Sequence, residues 1–220
     1  RRFHGNLGGN MNTDQYQDNT LALADLWDAW AEIGSNLKPE QWTLATRCED
    51  WDVQALFAHV SAGVGGLLSL LNERKVDSVP DLVRATDIIR MVKPSPEVAQ
   101  KLAVRVSAMA IEDARSQTPA SLIERLASGR EVCLLAQQHL GDVADYFGRG
   151  NATIAGSVDL RVVEAAVHLL DLQASLGMPA DLPESGAAVT MEFLVGLVPA
   201  VDFIEAATGR TTAQFFPLHS

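Results

Sequence analysis

The sequence predicts an all-α fold, a bundle of long helices packed on one another. Two observations carry that expectation. The composition is 47% hydrophobic and only 6% aromatic, with alanine, leucine and valine dominant, which favours helix against helix over a sandwich of β-branched and aromatic strands. Apolar residues fall on one side of long segments at helical spacing, and no strand alternation, internal repeat or low-complexity tract is visible. A chain of 220 residues suits one domain.

The elements follow in order. A first helix is expected over 14–35, with Leu23, Leu26, Trp27, Trp30 and Ile33 along one side, stopped by Asn36-Leu37-Lys38-Pro39. A loop over 41–50 follows. A second helix, 53–73, can be capped by Asp50 or Asp52, and its Gly63, Gly65 and Gly66 allow another helix or a ligand to come close to its backbone. Residues 80–117 read as one or two helices broken at Lys93-Pro94-Ser95-Pro96. Thr118-Pro119 starts the next helix, expected to continue to His139. A glycine-rich loop over 141–156 leads to a helix over 157–176, ended by Gly177 and Pro179. The last helix is expected as one piece over 185–208.

Residues 1–10 precede Met11 and read as a tag remnant or disordered leader. The domain is taken as 11–209, with 210–220 as a tail. The formal net charge of −11 repels phosphate backbones and anionic lipid, so nucleic acid and membrane surfaces are poor partners. The longest apolar stretch, 53–71, is interrupted by Gln54, His59 and three glycines, so no bilayer span is expected. The expected compartment is the cytoplasm. Cys48 and Cys133 form no disulfide framework or CxxC pair, and both are expected as small buried hydrophobes. His4, His139 and His219 are isolated. Gly148 and Gly150, split by Arg149, lack the setting of a phosphate-binding loop.

The chemistry concentrates in 160–176. Wound at about 100° per residue, this segment gathers Arg161, Glu164, His168, Asp171 and Ser175 into a stripe roughly 80° wide on an otherwise apolar helix. Glu164 and His168, four residues apart, can point a carboxylate oxygen and an imidazole nitrogen at one cation. The same stripe also fits the solvent face of a mostly buried helix. His59 lies alone in another apolar helix, and with it the three make the two-histidine, one-glutamate set of an open zinc site.

The pattern Trp42-x3-Thr46-x-Cys48-x2-Trp51-Asp-Val-x2-Leu56-x2-His59-Val, followed by Arg161-Val-Val-Glu164-x3-His168-x2-Asp171-Leu172, resembles the N-terminal domain of the mycothiol-dependent maleylpyruvate isomerases. The tail 194–202 is similar to the helix that follows in relatives. That resemblance implies a DinB-like four-helix bundle with additional helices, and a divalent metal held by His59, Glu164 and His168, with zinc the expected ion and nickel the alternative. It also implies mycothiol as a thiol cosubstrate. Arg161 would then face an anionic small-molecule substrate, Asp171 would orient the substrate or His168, and both are expected beside the metal cavity.

Three functional classes follow. The favoured one is a metal-dependent enzyme using a low-molecular-weight thiol, of the isomerase or S-transferase type. The alternatives are a metal-dependent hydrolase, whose open position holds hydroxide, and a non-catalytic metal-binding module. Homodimerisation would supply contacts that a single copy lacks.

Overall fold

The computed structural model describes residues 13–210, so the expectations for 1–10 and for most of 210–220, His4 and His219 included, lie outside the described residues. The fold begins with α1, Thr13–Asn36, followed by a short 3-10 turn, Pro39–Thr43. Helix α2, Val53–Asn72, starts where Asp52 accepts a hydrogen bond from the Ala55 amide at 2.8 Å, satisfying an otherwise unpaired first-turn N–H. Helices α3, Ala85–Val92, and α4, Pro96–Ser116, are separated at the expected Lys93-Pro94-Ser95 break, with Ser95 capping α4. Next come α5, Pro119–Ala127, and α6, Gly129–Gln137, then α7, Ile154–Ser175, α8, Glu184–Gly196, and α9, Ala200–Ala207.

The core lies where α1, α2, α5, α6 and α7 meet. Trp30 packs edge-on to Phe57, with ring centroids 4.8 Å apart, and its indole N–H donates to the Ala165 carbonyl at 3.0 Å. This one residue ties α1 to both α2 and α7. A smaller cluster of Leu82, Ile88, Leu160, Val163 and Phe193 seals α3 and α8 onto the other flank of α7. The all-α bundle expected from composition and periodicity is what the chain forms.

Four local expectations are corrected. The helix expected over 119–139 breaks at Ser128-Gly129 into α5 and α6, glycine being the poorest helix former after proline. The helix expected over 185–208 breaks before Ala200, and α8 and α9 meet at 113°, because Pro199 cannot continue the first helix. The loop over 141–156 contains an antiparallel hairpin, β1 (Val143–Asp145) with β2 (Asn151–Thr153), in register Val143 to Thr153. Strands of three residues are too short to show alternation, which hid them in the sequence. Finally, α2 is long and apolar enough to cross a membrane, the only single helix among the described residues to be so, where the interruptions by Gln54, His59 and the glycines lead the sequence to predict no span. Its hydropathy has a simpler cause, since α2 lies between α4, α5, α6 and α7 and 56% of its most apolar window is buried.

Candidate metal centre

Two helices and one loop build the site. α2 carries His59 one turn before its glycines, and α7 carries Glu164 and His168 on adjacent turns of the face that meets α2. Glu164 Oε2 lies 3.5 Å from His59 Nε2 and 3.6 Å from His168 Nε2. One donor atom from each residue falls within 4.8 Å of the other two. An ion bound at about 2.0–2.1 Å in tetrahedral geometry spaces its ligands about 3.3–3.4 Å apart. The spacing therefore fits a divalent cation with little movement of the side chains, and leaves a fourth position for another ligand.

The surroundings of His168 select the nitrogen that faces the cation. Asp171 Oδ2 lies 3.0 Å from His168 Nδ1, and an ionised carboxylate only accepts, so Nδ1 carries the proton and Nε2 points its lone pair at Glu164 and His59. Burial raises the Asp171 carboxyl, and the contacts with His168, Arg47 and Cys48 outweigh it, leaving its pKa below the ordinary value. Burial pushes the His168 ring towards its neutral form, but hydrogen bonds to Asp171, Cys48 and Glu164 prevail and hold its pKa well above the ordinary histidine value. A cation bound among His59, Glu164 and His168 would therefore compete with a proton for the Nε2 lone pair. Trp51 closes one side, its ring centroid 4.9 Å from that of His59 and 5.8 Å from that of His168. The Trp51 indole donates to the Ser107 hydroxyl at 2.9 Å, which fastens this wall to α4.

The other expected residues divide. Asp171 stands beside His168 as expected. Arg161 is turned into the protein: its Nε donates to the Gly63 carbonyl at 3.0 Å and its Nη1 to the Ser157 carbonyl at 2.8 Å. A Cβ at Gly66 would come within 3.1 Å of Nη2, so the close approach that the glycines of α2 permit is made by this guanidinium. Cys133 is buried, as expected, and desolvation raises its thiol to about 12. Cys48 departs from the buried-hydrophobe reading: it is half-buried, with Sγ 3.5 Å from Asp171 Oδ2 and 3.8 Å from His168 Nδ1.

Sequence reasoning also passed over Lys93 and Tyr146. Burial lowers the Lys93 pKa while the charge of Glu164 acts to raise it. Burial raises Tyr146, which also senses Arg161 and Glu164. Lys93 sits in a proline-broken turn and Tyr146 in the hairpin, where no periodicity marks a face. A cavity of about 350 Å³ lined by Glu73, Arg74, Lys75, Val76 and Asp145 includes none of the three donors.

Comparison with known protein families matches residues 23–173 to the mycothiol maleylpyruvate isomerase N-terminal domain. The chain belongs to this family. The match runs from the start of the described core of α1 almost to the end of α7, so it includes His59, Glu164, His168 and Asp171. As a mycothiol maleylpyruvate isomerase N-terminal domain, the chain has the DinB-like helical bundle that its residues resemble, and it carries candidate metal-ligand groups. No curated protein and no solved structure gives a significant match.

Proposed function

We propose that the chain is a metal-dependent enzyme that uses a low-molecular-weight thiol, mycothiol, to isomerise or conjugate a small electrophile. The single observation that carries this reading is the convergence of His59 Nε2, Glu164 Oε2 and His168 Nε2, a two-nitrogen, one-oxygen set with room for a further ligand. A divalent cation there supplies Lewis acidity, favouring the thiolate form of a thiol at neutral pH.

The chain's own groups perform the rest. Asp171 keeps the proton on Nδ1 of His168, and Trp51 excludes water from one side of both imidazoles. The Lys93 ammonium, in the field of Glu164, is better placed than Arg161 to face an anionic substrate, because Arg161 already donates to two backbone carbonyls. Two imidazoles and a carboxylate suit zinc, and nickel would bind the same set.

The test uses cobalt-loaded protein in a Cys48→Ala, Cys133→Ala background, so that any sulfur seen belongs to added thiol. Mycothiol should produce a sulfur-to-cobalt charge-transfer band, and His59→Ala should abolish it. A spectrum unchanged at saturating thiol would overturn the thiol reading and leave the hydrolase or binding-module alternatives. Protein isolated without chelator is expected to hold a divalent ion at this triad, and full metal content in His168→Ala would overturn the site.

A further inference from the structure

His168 has two ring nitrogens, and only Nε2 is directed at His59 and Glu164. Nδ1 points to the opposite edge, where a second set of donors gathers. Cys48 Sγ is 3.8 Å from Nδ1 and 3.5 Å from Asp171 Oδ2, and Nδ1 and Oδ2 are 3.0 Å apart. All three atoms lie within 4.8 Å of one another. A tetrahedral ion with sulfur at about 2.3 Å and nitrogen and oxygen near 2.0–2.1 Å spaces such ligands about 3.3–3.6 Å apart. The observed separations bracket that range.

Each donor is held independently. The Cys48 amide donates to Thr46 Oγ1 at 3.1 Å, and the Cys48 carbonyl accepts from the Trp51 amide at 3.1 Å. The bridge between Ala45 and Asp52 closes the base of this loop. The other oxygen of Asp171, Oδ1, accepts from Arg47 Nε at 3.0 Å, which leaves Oδ2 for the cluster. The charge that Arg47 brings to this edge is matched by Asp171.

We propose that Cys48 Sγ, His168 Nδ1 and Asp171 Oδ2 form a second cation position, selective for thiophilic divalent ions, back to back with the His59–Glu164–His168 position across one imidazole ring. The thiolate is the soft donor that the first position lacks. Binding here releases the Cys48 thiol proton and the Nδ1 proton to solvent, and the ring keeps a proton by taking one up at Nε2. The lone pair at Nε2 is then lost to the first position, so the two positions exclude one another unless the ring becomes a bridging imidazolate. A thiophilic ion therefore competes with the ion at the first position. The inference stands on the two edges of His168 and does not require the thiol chemistry proposed above.

Cadmium ion is the probe, titrated into the full chain and followed by the ultraviolet sulfur-to-cadmium charge-transfer band. The band is expected to saturate in the unmodified chain, to vanish in Cys48→Ser, and to persist in His59→Ala. Cobalt binding without cadmium should survive Cys48→Ser and be lost in His59→Ala, which separates failure of one position from failure of the other. Helical circular dichroism reports folding of each variant, and His59→Gln serves if the alanine variant does not fold. Absence of the band in the unmodified chain would overturn the proposal. So would its retention in Cys48→Ser, which would assign it to Cys133, or its loss in a folded His59 variant, which would place Cys48 in the first position.

Discussion

Asp171 and His168 share one hydrogen bond, Nδ1 to Oδ2 at 3.0 Å, and it determines which ring nitrogen His168 offers to a cation. Carboxylates in this position raise the basicity of the ligating nitrogen and fix its tautomer. Asp171→Asn should therefore weaken metal binding by about 10–100-fold with helical circular dichroism unchanged. Competition against a chromophoric chelator measures it, and an unchanged affinity would show that Asp171 does not position the ring.

The pH dependence of metal binding should carry the signature of His168. Its pKa is raised because hydrogen bonds to Asp171, Cys48 and Glu164 outweigh the opposing effect of burial. The proton and the cation compete for the same lone pair, so affinity is full above the raised pKa and falls about tenfold per pH unit below it. Calorimetric titration across the acidic to neutral range checks the sign. Affinity that does not change with pH would mean that His168 Nε2 is no ligand.

Asp159 is a buried carboxyl in the first half of α7, hydrogen-bonded to Asn19 of α1. Burial raises its pKa to about 6, opposed by the hydrogen bond that Asn19 Nδ2 donates at 2.9 Å. The folded pKa exceeds the unfolded value, so the folded state holds the extra proton between about pH 4 and pH 6. Stability is greatest below that window and declines as pH rises through it. Asp159→Asn should remove the dependence and stabilise the protein at neutral pH by about 1–3 kcal/mol. Urea denaturation at both ends of the window tests this, and equal stabilisation at acidic and neutral pH would contradict it.

Gly156 lies in the first turn of α7, where a Cβ would stand 2.5 Å from the Val83 carbonyl oxygen. The obstacle is backbone and cannot rotate aside. Gly156→Ala should cost about 1–3 kcal/mol through overpacking, despite the better helix propensity of alanine. A denaturation midpoint equal to or above that of the unmodified chain would refute the contact.

The bundle was legible because long helices repeat their apolar spacing many times over, as α1 does through Leu23, Trp27 and Trp30. Glu164, His168 and Asp171 were legible for the same reason: helical geometry alone puts them on one stripe. The partnership of α7 with His59 depended on family resemblance, since no local rule joins residues so far apart in sequence. Cys48 was misjudged because its contacts with His168 and Asp171 span more than a hundred residues, while its loop has no period. The direction taken by Arg161 was hidden too. Its position on the stripe was apparent, but not the carbonyl of Gly63 that captures it.

That capture has a consequence for how a metal would load. Arg161 belongs to the helix that bears Glu164 and His168, and it grips the helix that bears His59 one turn beyond that residue. Sliding either helix along the other would break a buried charge-assisted hydrogen bond, so the separation between the ligands is set before any ion arrives. A pocket assembled in advance needs no folding step to bind its ion and none to release it. Uptake should then run at the speed of ligand exchange, and chelators should strip the protein without unfolding it.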